Sequence, residues 1–207
     1  MPEAPESIGP YKVLSKVGEG AMGIVFKAQD KRLDRVVALK VIREFQSDPG
    51  RRRRFWQDAR AVSHPNACQL YDLGEDNDTL FLVMEFIEGE SLADRMKRGP
   101  LPPQEAAQIV LVMLSALEAF HRTGIVHRDL KPSNVLISSQ GAKLLDFGIA
   151  KQNVCEASHS SATITAELTR PGMFLGTPKY ASPEQLKGEQ VDARSDLFSL
   201  GAARSQR

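Results

Sequence analysis

HRDLKPSN, residues 127–134, decides how this chain reads. A histidine, an arginine, an aspartate, a lysine and an asparagine fall within eight positions, and the apolar run VLI follows. A surface loop needs polar residues but not this assortment. Asp129 is followed two residues later by Lys131 and five residues later by Asn134. That supplies a base, a cation and a neutral oxygen ligand, a set suited to moving a phosphoryl group. The carboxylate orients a hydroxyl and accepts its proton, and the lysine offsets charge on the transferred group. The asparagine oxygen suits Mg²⁺, a hard ion that prefers oxygen. Asp146, in LLDFG (144–148), adds a charged Mg²⁺ ligand at the end of a predicted strand.

Upstream, GEGAMG (18–23) places Gly18, Gly20 and Gly23 in a G-x-G-x-x-G pattern. Glycines let a backbone approach a phosphate closely, and they also simply make hairpins. A dinucleotide-binding turn leads from a strand into a helix. Here both flanks read as strand, so the glycines belong to a hairpin tip. No GK[ST] follows, which excludes a P-loop. VALK (37–40) then puts Lys40 in an apolar strand at a distance that brings its ammonium under that tip, where a fixed cation could hold polyphosphate oxygens.

The bulk properties are those of a globular chain. With 207 residues, one domain or two small lobes is expected. Hydrophobic content of 42% and charged content of 26% are ordinary. A net charge of +1 gives no overall pull towards nucleic acid or membrane. Cys68 and Cys155 form neither a disulfide framework nor a metal-ligand spacing, which fits a reducing, cytoplasmic location. The N-terminus MPEAPESIGP has no signal-peptide pattern, and no apolar run is long enough to span a membrane.

Along the chain, YKVLSKV, IVFKAQD, RVVALKVI, CQLYDLG and LFLVMEFI read as strands. A helix is predicted from Ser47-Asp48-Pro49 through FWQDARAV to about His64-Pro65. After Glu88-Gly89 the character changes. SLADRMKR and QEAAQIVLVMLSALEAFHRTG have helical spacing, with Ile109, Val112, Met113, Ala116, Leu117 and Phe120 on one apolar face. VLIS and AKLLDF are short strands around SQG. Residues 151–170 are polar and aperiodic, and read as a loop. Further helices are predicted from about Pro183 and Asp192.

GEGAMGIV, VALK, HRDLKPSN, DFG, GTPKYASPE (176–184) and DARSD (192–196) together resemble a eukaryotic-type protein kinase catalytic domain, over residues 9–201. The flavour is similar to bacterial serine/threonine kinases, since SPEQL resembles their version of the APE segment. LKPSN implies a Ser/Thr rather than a Tyr acceptor. The resemblance implies a two-lobed α+β fold, with an N-terminal extension over 1–10, a β-rich N-lobe over about 11–87 and a mainly helical C-lobe over 88–207. It implies ATP and Mg²⁺ as cofactors and Ser/Thr-bearing proteins as substrates. A second copy of the chain is a candidate dimer or autophosphorylation partner.

Residue by residue, the resemblance makes Asp129 the catalytic base and Lys131 the γ-phosphate contact. Asn134 and Asp146 hold Mg²⁺, and Lys40 grips the α/β-phosphates. Val17, Gly18, Glu19, Gly20, Ala21, Met22, Gly23, Val25 and Ala38 line the nucleotide, with Met84 at the gatekeeper position. Glu85 to Ile87 form the hinge that meets adenine through backbone groups. Arg128 resembles the arginine that pairs with a phosphorylated activation loop. Thr163, Thr165 and Thr169 are candidate sites in that loop, with plain loop filler as the alternative, and Thr177 belongs to the substrate platform.

Two departures from the family pattern stand out. The helix glutamate that pairs with the strand lysine falls on Asp58, one methylene shorter, in a stretch about one helical turn short (roughly 3.6 residues). The alternative makes Asp58 a surface acid beside Arg51–Arg54, itself a solvated face or a contact for an acidic partner. In addition, the helix from DARSD is expected to end early, after about 12 residues and roughly 18 Å, leaving the C-lobe incomplete, apolar residues exposed and Glu184 without its arginine partner. The competing function is therefore a catalytically impaired, nucleotide- or partner-binding module.

Overall fold

The computed structural model describes residues 5–20, 23–42, 60, 62–77, 79–145 and 178–204. Among the expected site residues, Ala21, Met22, Asp58, Asp146, Thr163, Thr165, Thr169 and Thr177 lie outside these. So do nearly all of the helix predicted before His64 and the whole polar stretch 151–170. The described chain divides into two compact units, one of residues 1–63 and 68–88, the other of 64–67 and 89–207.

The first unit is built on a six-stranded sheet of order β1-β2-β3-β4-β6-β5. Its strands are β1 (Ser7–Ile8), β2 (Tyr11–Gly20), β3 (Gly23–Asp30), β4 (Arg35–Ile42), β5 (Leu70–Asp76) and β6 (Thr79–Glu85). All pairings are antiparallel; short connections account for this between consecutive strands, while β4 pairs with the non-consecutive β6. β1 lies within the stretch expected to precede the domain. Ile8 is apolar and packs into the core with Tyr11, Phe26, Val37, Leu39, Phe81 and Val83, and Gly9 makes the turn into β2 at φ +52°. Tyr11 meets Phe81 edge-on, with ring centroids 5.9 Å apart. The turn between β3 and β4 is tied by Asp30, whose buried carboxylate accepts from Arg32 Nε at 3.3 Å, while Arg32 donates to the Tyr11 hydroxyl at 2.7 Å.

In the second unit, β7 (Glu90–Ser91), β8 (Val135–Ser138) and β9 (Gly141–Leu144) form a small sheet. Among the described residues four α-helices accompany it: α1 (Leu92–Lys97), α2 (Pro103–Arg122), α3 (Pro183–Lys187) and α4 (Ala193–Arg204). α1 starts where the Ser91 hydroxyl accepts from Asp94 N–H at 3.0 Å. α2 begins with Pro103, whose missing N–H costs nothing in a first turn. It buries Ile109, Met113, Ala116, Leu117 and Phe120 as its spacing predicts; Val112 is only half-buried. Asn66 joins this unit through its carbonyl, which accepts from Leu144 N–H at 2.8 Å, and its side chain, which donates to the Ala142 carbonyl at 3.1 Å. α4 runs four residues past Leu200, through Gly201 to Arg204. Its Leu197 and Phe198 are both 48% exposed.

Candidate active site

The first unit gathers the residues expected to meet a nucleotide on one sheet face. Cross-strand partners share a face, and so do residues two apart on a strand. Val25 pairs with Lys40, which pairs with Leu82. Lys27 pairs with Ala38, which pairs with Met84. Val25, Lys27, Ala38, Lys40 and Met84 therefore line one side. Lys40 is 7% exposed, within the apolar run 36–42 of β4.

β2 and β3 close as a hairpin, with Glu19 opposite Ile24 and Gly20 opposite Gly23. Gly23 is required by the fold: at φ +138° its backbone runs so close to β4 that a Cβ would lie 1.8 Å from the Val41 carbonyl oxygen. Gly18 and Gly20 have open space where a Cβ would be, so packing against the described residues does not explain them. Val17, at the bulge between Lys16 and Gly18, is 56% exposed. The Glu19 carboxylate is held by Lys16.

At the other end of the sheet, Glu85 N–H donates to the Gln69 carbonyl at 2.9 Å, and the Cys68 thiol points at the Glu85 carbonyl at 3.6 Å. Ile87 is half-buried. Lys27 lies 4.5 Å from the centre of the Phe86 ring and 3.4 Å from the Glu88 carboxylate. This link from β3 to the 85–88 segment was not anticipated from sequence.

The second unit assembles the HRDLKPSN residues. Asp129 and Asn134 are buried, each 7% exposed. Lys131 Nζ lies 2.8 Å from Asp129 Oδ2. Asn134 Nδ2 donates to the Asp129 carbonyl at 2.8 Å and to Asp129 Oδ2 at 3.1 Å, which leaves its Oδ1 as the atom for a hard cation. Pro132–Asn134 form a single 3₁₀ turn, the local geometry that brings a residue five positions on back over Asp129. Leu145 N–H, adjoining Asp146, donates to the Asn134 carbonyl at 2.8 Å. The three chemistry-bearing side chains thus meet at one place.

Arg128 has φ +63°, unusual for a residue with a side chain. Asp129 N–H reaches back to the His127 carbonyl at 2.9 Å, closing a tight three-residue turn around it. Asp196, 0% exposed, holds that turn from α4. Its Oδ2 accepts from His127 N–H at 2.9 Å, its Oδ1 accepts from Arg128 N–H at 2.9 Å, and His121 Nε2 lies 2.8 Å from Oδ2. The His127 ring also reaches the Leu145 carbonyl at 2.8 Å. Asp196 was not singled out among the site residues, although it is the last residue of DARSD (192–196), the helix start quoted for the resemblance.

α3 carries the SPEQ residues. Ser182 caps it, and Gln185 closes a capping box by accepting from Ser182 N–H at 3.1 Å. Glu184 is held by the Ser195 hydroxyl, which draws its carboxyl below the usual carboxylate range.

Comparison with known proteins matches residues 11–204 to the protein kinase domain family. The chain belongs to that family. The kinase chain is 44% identical over 209 residues to the serine/threonine-protein kinase pkn2 of Myxococcus xanthus, covering 96% of this chain and 24% of that protein. It is 41% identical to PrkC of Bacillus subtilis, covering 93% of this chain and 29% of PrkC. A crystal structure of the Mycobacterium tuberculosis PknI kinase domain superimposes with a TM-score of 0.75 at 29% identity, covering 99% of this chain and 76% of that one. The kinase chain spans about a quarter to a third of the length of these curated relatives. The two-lobed α+β class expected from sequence is the fold of this family, with the C-lobe only partly covered.

Proposed function

We propose that this chain transfers the γ-phosphate of ATP to serine and threonine hydroxyls of proteins, with Mg²⁺. The observation that carries the reading is the packing of Asp129 against Lys131 at 2.8 Å and Asn134 at 3.1 Å. The donor set fits a magnesium nucleotide. Lys40 is a cation in an apolar strand, Gly18 and Gly20 leave room beside the backbone, and Asn134 has an amide oxygen left over.

In this reading ATP·Mg²⁺ supplies the phosphoryl group and the charge neutralisation. Asp129 orients the acceptor hydroxyl and takes its proton, and Lys131 offsets charge beside it. Asn134 and Asp146 are the magnesium ligands. Lys40 holds the α/β-phosphates, with Asp58 as its helix partner. Residues 17–23, Val25, Ala38, Met84, Glu85 and Ile87 receive the nucleotide. Arg128 with Thr163, Thr165 and Thr169 forms the regulatory set, and Thr177 the substrate platform. Among the described residues no helix is long and apolar enough to cross a membrane, and we place the ATP-consuming chain in the cytoplasm.

The test is transfer of label from radiolabelled ATP to casein by the purified chain and by Asp129→Ala, alongside thermal unfolding with and without ATP and Mg²⁺. A ligand bound only by the folded state raises the midpoint. Transfer by the parent, lost in the variant while the midpoint still rises, is the expected result. A rise in midpoint without transfer in either protein would make the chain a nucleotide-binding module instead.

A further inference from the structure

The peptide between Arg128 and Asp129 carries the backbone into the base, and both of its polar ends are engaged. Its N–H, on Asp129, donates to the His127 carbonyl at 2.9 Å. Its carbonyl, on Arg128, accepts from Gln185 Nε2 at 2.8 Å. The peptide is planar, so fixing both ends fixes the direction in which the Asp129 Cα leaves it. The other end of the same amide, Gln185 Oε1, accepts from Ser182 N–H at 3.1 Å. A backbone donor on one side and a backbone carbonyl on the other permit a single amide orientation. Gln185 is thus both the closing residue of the α3 capping box and a brace on the loop that holds the proposed base, 57 residues earlier in the chain.

We propose that Gln185 is a positioning residue for the transfer reaction, coupling the seating of the 182–187 segment to the orientation of Asp129. A glutamine does this where a glutamate could not. Either residue closes the capping box, because each offers an oxygen to Ser182 N–H. Only the amide has a donor left for the Arg128 carbonyl. Gln185→Glu therefore separates the two roles: the helix start keeps its cap and gains an acid where the helix dipole favours one, while the brace is replaced by oxygen facing oxygen.

The kinetic part of this inference rests on the kinase reading, but the brace itself does not, and the experiment reads both. Amide hydrogen exchange is measured on peptides covering 127–134 and 182–188 in the parent chain, Gln185→Glu and Gln185→Ala, together with phosphate transfer to casein. In Gln185→Glu the expected result is exchange about fivefold faster in 127–134, the equivalent of ~1 kcal/mol for one hydrogen bond, with 182–188 unchanged. Gln185→Ala speeds both. The transfer kcat falls about as much, and the KM for ATP stays within about twofold. Unchanged exchange over 127–134 in Gln185→Glu would overturn the proposal and leave Gln185 a cap only. The expected exchange pattern in a parent chain that transfers nothing would uphold the brace and count against the kinase reading.

Discussion

Asp196→Ala offers the sharpest test of how the 127–134 loop is held. The carboxylate is completely buried and takes three contacts: His127 N–H at 2.9 Å, Arg128 N–H at 2.9 Å and His121 Nε2 at 2.8 Å. Hydrogen bonds to a charged acceptor contribute about 1.5–3 kcal/mol each, and a buried donor left unmet costs about 1–3 kcal/mol. Two backbone donors are orphaned in the alanine variant. The loss should therefore be about 3–5 kcal/mol, which for a chain of this size lowers the thermal midpoint by roughly 10 °C. Asp196→Asn should fall between. An amide has one oxygen, and its best placement still meets Oδ2's two partners while turning its NH₂ towards Arg128 N–H, for a loss of about 1–3 kcal/mol. Urea unfolding followed by circular dichroism gives both numbers, with the m-value as the check that the denatured state has not changed. An alanine variant within ~1 kcal/mol of the parent at the same m-value would mean that α4 does not hold the turn at Arg128.

The glycine hairpin separates fold from function. Gly23→Ala should unfold the hairpin, because its Cβ meets the Val41 carbonyl at 1.8 Å, whereas Gly20→Ala should leave the urea midpoint unchanged and weaken ATP in a nucleotide titration. Lys27→Met removes a cation 4.5 Å from the Phe86 ring and its pair with the 82%-exposed Glu88. Stability should fall by less than ~1 kcal/mol, while the KM for ATP rises about threefold in the casein assay. The Glu184 carboxyl is drawn down first by the Ser195 hydroxyl. A carboxyl depressed in the folded state adds stability above its unfolded pKa and loses it as pH falls through the folded one. Ser195→Ala should therefore flatten the acid side of the stability–pH curve, as read by urea midpoints across the acidic range.

The clustering of the candidate site could be read in sequence because its residues are local. Asp129, Lys131 and Asn134 fall within six residues, and one 3₁₀ turn brings them together. The sheet was legible for a similar reason. β-branched runs with turns between them marked the strands, and the consecutive pairs β2–β3, β3–β4 and β5–β6 follow from short connections, whereas the pairing of β4 with β6, across β5 in sequence, was not read. Burial was less legible. The apolar run of α2 contains Leu111 and Leu114 as well as its core face, and these are 65% and 38% exposed. Periodicity assigns a face; it does not say how wide a stripe the neighbours cover.

The resemblance implies that the helix from DARSD anchors the 127–134 loop; which side chains brace it could not be read, and separation along the chain is the reason. Asp196 holds His127 and Arg128 across 69 and 68 residues, and Gln185 reaches Arg128 across 57. DARSD (192–196) marks where α4 starts but does not show that its last aspartate is fully buried, and SPEQL was read only as a family segment, without a role for Gln185. Yet these two side chains grip opposite ends of Arg128, the residue whose positive φ aims Asp129. A local motif can carry the reactive groups, but a left-handed backbone needs partners from outside itself to persist. The candidate reactive groups lie in 127–134, and their geometry depends on 182–196. Substitutions in that second stretch should therefore lower transfer without touching any group that meets nucleotide or acceptor.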